Sequence, residues 1–287
     1  MRPPQDAAEG VANATLAVEL VTEELPPKSL KALGAAFADT LAAALARRGL
    51  LGAGTRTSGY ATPRRLAVVI TDVRAVAPDV DVVDKLMPAK VAFDAQGQPS
   101  LALQKKLAGL GRAHLATAAP EARDGPDHRY TASDGKADYV FLKSVAKGQP
   151  LARALQEALD ETIARLPIAK VMRYPAPGSY YSDVAFVRPA HRLLALHGTT
   201  TVPVRVLGLD AGNVTSGHRF LARDDLVVRS ADAYAPTLEA EGKVVPDFAA
   251  RRATIVDELI RAASGATVIM PDPLVDEVTA LVEWPVV

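Results

Sequence analysis

The chain contains no cysteine, which excludes disulfides, thiolate zinc sites and cysteine nucleophiles together and suits a reducing compartment. It also lacks net charge. Thirty-three Lys and Arg balance thirty-three Asp and Glu, so no global field draws it to nucleic acid, and any such contact must come from a local patch. Aromatic residues make up 5% of its 287 residues against 49% apolar residues, which predicts a sizeable core that is aliphatic. No run approaches the roughly 18 apolar residues of a membrane span. Residues 1–14 lack the apolar stretch of a secretory leader, and with Pro3-Pro4 and alternating small and charged residues they read as a disordered tail. The expectation is a cytoplasmic protein with no membrane contact.

Several chemical signatures are missing as well. No glycine-rich loop ends in Gly-Lys-Ser or Gly-Lys-Thr, and Gly52-Ala53-Gly54 has neither the third glycine nor the preceding strand of a dinucleotide fingerprint. No His-Glu-x-x-His occurs, so no metal and no cofactor is expected on this chain.

What is present reads as an α/β (α+β) fold of mixed sheets with flanking helices. Leu16 to Val21 suits a buried strand. Leu30, Leu33, Phe37, Leu41, Ala44 and Leu45 then share one helical face, with Gly49 placed to end the helix. Arg65 to Val73 is β-branched and reads as the next strand, and strand, helix, strand opens a layered α/β architecture. Prolines and glycines between 74 and 137 leave room for short elements, among them a helix over Ser100 to Leu110, with an exposed loop over 116–135. Tyr139 to Ala146 is a strand. A helix follows with Leu151, Leu155, Leu159, Ile163 and Leu166 at helical spacing. Two strand-like runs, Leu193 to Leu196 and Val202 to Leu207, flank a turn at Gly198, and Leu226 to Arg229 is another strand. Ser230 and Asp247 cap two further helices. Asp272-Pro273 starts a last helix, and Glu283-Trp284-Pro285-Val286-Val287 begins a strand-like run.

The charge balance is uneven locally. Residues 170–223 hold Lys170, Arg173, Arg188, Arg192, Arg205, Arg219 and Arg223 against Asp183 and Asp210, with His191, His197 and His218 among them. Guanidinium groups grip phosphate bidentately, and Tyr174, Tyr180 and Tyr181 could stack on unpaired bases; the bland alternative is a solvated basic face. Asp224 and Asp225 follow just past that window. Arg64 and Arg65 start a strand, where alternation sends them to opposite faces, so at most one of them faces a given ligand. Either phosphate or an ion pair with Glu23 or Glu24 would use such an arginine. Glu23-Glu24 reads as a helix-start pair complementing the helix dipole, with a general acid and base pair as the alternative. His191 or His218 as a general base would need an orienting carboxylate, and none lies at a recognisable spacing.

Four segments are more specific than any fold signal: Thr22-Glu23-Glu24-Leu25-Pro26-Pro27, Tyr60-Ala61-Thr62-Pro63-Arg64-Arg65-Leu66, Phe186-Val187-Arg188-Pro189-Ala190-His191 and Gly217-His218-Arg219-Phe220. With Met172-Arg173, Lys243-Val244-Val245, Arg251-Arg252 and Leu281 to Val287 they fall in the order and spacing of one family. From about Leu16 onward the sequence resembles the N-terminal part of the β subunits of bacterial two-subunit glycyl-tRNA synthetases. Departures are Val21 where the family usually has glycine, Tyr174 where tryptophan is usual, and a longer loop over Pro175 to Tyr181.

The resemblance implies a fold like the accessory α/β module of the phenylalanyl-tRNA synthetase β subunit. It also implies a chain that is a piece of a larger subunit, with residues 15–265 as a mixed α/β region of one or two subdomains and 266–287 as the start of the next domain. It implies partners: a glycyl-tRNA synthetase α subunit, tRNA(Gly), and a second β subunit in a heterotetramer. ATP and Mg serve the assembled enzyme at the α subunit's adenylation site, and neither class I signatures nor a class II arginine motif is found here. The piece alone is expected to be inactive and to contribute tRNA and subunit contact, with Arg64, Arg65, Arg188, His191, His218 and Arg219 as phosphate partners. An editing-like hydrolase using His191 or His218 on mischarged tRNA, and a protein-interaction scaffold, are the alternatives.

Overall fold

Seven of the nine residues of the first strand, β1 (Ala14–Thr22), are buried, which requires cover on both faces of the sheet it belongs to. The computed structural model describes residues 13–117, 126–176, 178 and 183–287; the expected tail falls almost wholly outside them, as do Tyr180 and Tyr181. Along the chain β1 is followed by helix α1 (Pro27–Arg47) and strands β2 (Thr57–Thr62) and β3 (Arg65–Val73). An excursion carries β4 (Val80–Pro88), α2 (Ala89–Ala92), α3 (Leu101–Gly109), β5 (His128–Ser133) and β6 (Asp138–Ala146). Then come α4 (Leu151–Arg165), the hairpin β7 (Met172–Pro175) and β8 (Asp183–Phe186), and β9 (Ala190–His197). Short strands follow: β10 (Thr200–Thr201), β11 (Arg205–Val206), β12 (Leu209–Gly212), β13 (Val214–Thr215) and β14 (Leu226–Val227). The last helices are α5 (Tyr234–Ala240), α6 (Phe248–Ala262) and α7 (Asp272–Thr279).

Contacts divide the chain into two compact units, one of residues up to Ala77 with Gln149–Val287, the other Pro78–Gly148. In the first, a seven-stranded sheet runs β11-β12-β9-β1-β3-β2 with β10 beside β9. Strand β1 is central and antiparallel to both β3 and β9, while β12 lies parallel to β9. Alternation sorts the side chains. Leu16, Val18, Leu20, Leu66, Val68 and Ile70 face α1 and α4. Ala17, Ala67, Leu194 and Leu196 face the other way, onto Val228, Tyr234, Leu238 and Val244. Glu19 and Arg65 share the parity of this second face.

Helix α1 begins at Pro27, preorganised for a first helical position, after an extended Pro26. Leu30, Leu33, Phe37, Leu41, Ala44 and Leu45 are all buried, and Gly49 ends the helix at φ 74°. By length and composition α1 could cross a bilayer, contrary to the expectation that no run reaches that length; here its apolar face packs on the sheet and on α4.

The second unit is a three-stranded antiparallel sheet, β4-β6-β5, over a small core of Leu103, Leu107, Leu115, Val140 and Leu142. Ser100 caps α3 by accepting from the Leu103 amide at 3.3 Å. The loop expected over 116–135 is corrected here: His128–Ser133 pairs along its whole length with β6. This is an edge strand with only Arg129 buried, so its sequence carries no apolar alternation. Residues 118–125 of that expected loop lie outside the described residues. The strand-like run expected at 283–287 is not a strand, because Glu283 turns inward to two arginines.

Candidate functional site

Strand register brings the specific segments together. Val21 on β1 is opposite Arg65 on β3 and opposite Arg192 on β9, and Thr22 is opposite Ala190. The C-terminal end of β1 therefore lies between the starts of its two antiparallel neighbours. Thr22-Glu23-Glu24, Pro63-Arg64 and His191-Arg192 have no choice but to meet. Backbone bonds fix the junction, with Thr22 N donating to Arg64 O at 2.8 Å and Glu23 N to Pro189 O at 2.9 Å. The loop at Gly217–Ala222 closes the remaining side. The result is a cleft of about 460 Å3 walled by Glu23, Arg64, His191, Arg192, His218 and Arg219, with Thr22, Ser216 and Asp224 also lining it.

A buried ionic cluster lies behind that wall. Arg65 and Glu19 are both fully buried and their Nη1 and Oε1 are 3.1 Å apart. Arg65 also donates to the Ser216 carbonyl at 2.9 Å and to Thr62 Oγ1 at 3.1 Å, and its Nη2 is 3.4 Å from Glu283. Tyr234 donates its hydroxyl to Glu19 at 2.6 Å. Glu283 accepts from Arg64 at 3.0 Å and from Thr62 at 2.9 Å, while Arg64 Nη2 reaches the Gly217 carbonyl at 3.0 Å. Burial would drive the Arg65 pKa down, but Glu19 and Glu283 outweigh it and hold the guanidinium above its ordinary value. Burial likewise pushes Glu283 up, and Arg65 with Arg64 brings it below the ordinary carboxylate range. Burial, reinforced by Glu19, raises Tyr234 well above the usual phenol value. Each charge here has an opposite charge and at least one hydrogen bond beside it, the condition under which a buried ion is tolerated, while Glu19 Oε2 is left without a hydrogen-bond partner.

The rim of the cleft is more exposed and more acidic than the sequence window suggests. His191 Nε2 is 2.9 Å from Glu23 Oε1. Arg219 reaches Glu23 at 3.4 Å and Glu24 at 3.3 Å. Arg192 pairs with Asp225 at 2.6 Å and Asp224 at 3.4 Å, so the two acids just past the basic window neutralise part of its excess. The hydrogen bond with His191, opposed by burial and helped by the charges of His191 and Arg219, holds Glu23 below its ordinary pKa.

Of the six residues singled out in the sequence, Arg64, His191, His218 and Arg219 line this one cleft. Arg188 stands beside it, its Nε donating to the Glu24 carbonyl at 3.0 Å. Arg65 has no solvent exposure and faces the buried cluster. The expected ion pair of Arg64 or Arg65 with Glu23 or Glu24 is corrected: their partners are Glu19 and Glu283, because Glu23 and Glu24 lie beyond the end of β1 and turn to His191 and Arg219. His197 is buried and bonds the Val73 carbonyl at 2.8 Å, and the Tyr174 hydroxyl accepts from the Ala190 amide at 3.1 Å; both serve packing. Glu19 was legible only as a lone carboxylate inside an apolar strand. Glu23 as the partner of His191 was not legible, since 168 positions separate them. Among the described residues no cluster of His, Asp or Glu could hold a metal ion.

Comparison with known proteins gives a consistent match. A family model described as "Glycyl-tRNA synthetase beta subunit" matches residues 16–287. A glycine–tRNA ligase beta subunit from Ralstonia nicotianae is 50% identical over 275 residues, covering 96% of this chain and 38% of the relative. One from Leptothrix cholodnii is 51% identical over 278 residues with 96% and 38% covered, and one from Paracidovorax citrulli is 50% identical over 282 residues with 94% and 38% covered. The chain thus spans about 38% of the length of these relatives.

Proposed function

Since the chain belongs to the glycyl-tRNA synthetase beta subunit family, we propose that it supports the ATP-dependent attachment of glycine to tRNA(Gly) by contacting tRNA and the partner α subunit. Adenylation of glycine, with its ATP and Mg, is assigned to the α subunit within a cytoplasmic assembly that holds a second β subunit. The observation that carries this reading is the convergence of Arg64, His191, His218 and Arg219, from three separate segments, on a single cleft. Phosphate contacts would be made by Arg219 and Arg188, whose side chains remain partly exposed, together with the imidazoles of His191 and His218. Arg64 and Arg65 contribute by holding the wall.

A salt titration tests this. Binding of tRNA(Gly) to the chain should weaken linearly in log-log form, and an Arg188→Ala, Arg219→Ala double change should reduce the slope by about one per lost phosphate contact. An unchanged slope would mean the contact is elsewhere. Binding of the α subunit without tRNA would favour the scaffold reading. The 2.9 Å approach of His191 to Glu23 gives a hydrolase reading the orienting carboxylate it needs. Deacylation of mischarged tRNA that disappears in His191→Ala would support that second reading, and its absence in the unaltered chain would remove it.

A further inference from the structure

Phe220 is 85% exposed, on a loop that is otherwise held tightly. His218 N donates to the Gly242 carbonyl at 2.7 Å, Gly217 N to Arg223 O at 3.1 Å, and the Leu221 and Ala222 amides both return to His218 O, at 3.3 and 3.1 Å. The Phe220 amide donates to His218 Nδ1 at 3.2 Å. A Cβ added at Gly217 would lie 2.7 Å from both Ala222 Cβ and Arg223 O, so this turn has no slack. The ring is therefore displayed by a braced support and does not hang on a loose tip. Preorganisation of this kind lowers the entropic cost of binding a ligand.

The surroundings specify the ligand. Phe220 and Trp284 both line a groove of about 240 Å3 that shares Arg64, His218 and Arg219 with the larger cleft. The His218 ring is 6.2 Å from Phe220 at 58°, and Lys243 Nζ is 5.3 Å from the centre of Trp284. Aromatic faces bordered by cations match a nucleotide, a flat base next to a phosphate. Bases in a duplex have their faces covered, whereas an unpaired base can leave its stack and lie on a side-chain ring. Arg219 is available to the phosphate, since its contacts to Glu23 and Glu24 are 3.4 and 3.3 Å long between half-exposed groups and such pairs are worth little in water.

We propose that this groove binds one unpaired nucleotide of an RNA strand, the base against Phe220 and the neighbouring phosphate at Arg219. This deepens the tRNA reading above and rests on it. Trp284 is the chain's only tryptophan, so its fluorescence reports on the groove directly. A single-stranded RNA hexanucleotide titrated into the chain should change Trp284 emission saturably, and a blunt duplex of the same strands should not. Phe220→Leu, which keeps bulk and loses the ring, should weaken the hexanucleotide about tenfold or more, the range expected for loss of one base-stacking contact. Phe220→Tyr should restore binding. If whole tRNA binds with its normal salt slope while Phe220→Leu matches the unaltered chain, the groove proposal falls and the tRNA reading stands. If neither tRNA nor hexanucleotide binds, both fall. If Phe220→Leu releases the α subunit and leaves RNA affinity intact, the ring serves a protein interface and the proposal is overturned.

Discussion

Arg65 places a full charge where no water reaches, and its cost is offset by Glu19, Glu283 and two hydrogen-bond acceptors, with a further contribution from Tyr234. Removing one partner from a buried pair leaves an uncompensated ion, at about 3–5 kcal/mol. Glu19→Ala should therefore lower the urea midpoint by an amount corresponding to that range. Glu24→Ala, which loses only a rim contact with an exposed arginine, should change it by less than about 1 kcal/mol. Glu23 gives a titration prediction. Its carboxyl lies below the ordinary 4.5, first because of the hydrogen bond with His191. A depressed acid contributes stability that is complete above about pH 4.5 and fades as pH falls through its folded value. By NMR, His191→Ala should move the Glu23 pKa back up toward 4.5, and more than Arg219→Ala does; a Glu23 that titrates unchanged in His191→Ala would mean that the contact is absent in solution. Residue identities were legible at this scale where a short motif marked them, as at Arg64, His191, His218 and Arg219. Their partners were not, because Glu19, Glu23 and Glu283 reach them across the fold.

Helix α1 and strand β2 approach so closely that glycine is required on both. A Cβ on Gly34 would lie 2.6 Å from Ala61 Cβ, and one on Gly59 would lie 2.8 Å from Ala38 Cβ. Gly34→Leu should destabilise the chain by about 1–3 kcal/mol through overpacking. Gly109, the last residue of α3, meets nothing within 4 Å, so Gly109→Ala should instead gain about 0.4–1 kcal/mol. Equal effects at the two sites in chemical denaturation would contradict this packing account. The helices α1, α4 and α6 were readable because each buries one stripe against the sheet or a neighbouring helix, and that stripe sets the sequence period. Strand β6 buries alternate residues, Val140 and Leu142, whereas β3, covered on both faces, was readable from its β-branched residues. Strands β2, β4 and β5 were not: all three lie at sheet edges, and two residues of β2, one of β5 and none of β4 are buried, so burial left little imprint on their residues.

The chain leaves the first unit and re-enters it at adjacent points. Ala77 N donates to Gln149 O at 3.0 Å and Leu151 N to Ala75 O at 2.8 Å, so residues 78–148 close a loop whose ends are already paired. Replacing them with a short glycine-containing turn should leave the rest folded, with an unchanged salt slope for tRNA; a collapse of cooperative unfolding in that variant would show that the first unit depends on the second. The cleft depends on nothing so detachable. It exists because the end of β1 lies between the starts of β3 and β9, and sliding β1 by one residue would send Glu19 to the helix face and Leu20 to the charged one. In a mutagenesis screen, lesions in that sheet should therefore vanish into inclusion bodies before any assay sees them. Colonies that keep abundant protein yet lose function should trace back to the rim, at Glu23, His191, Arg219 and Phe220.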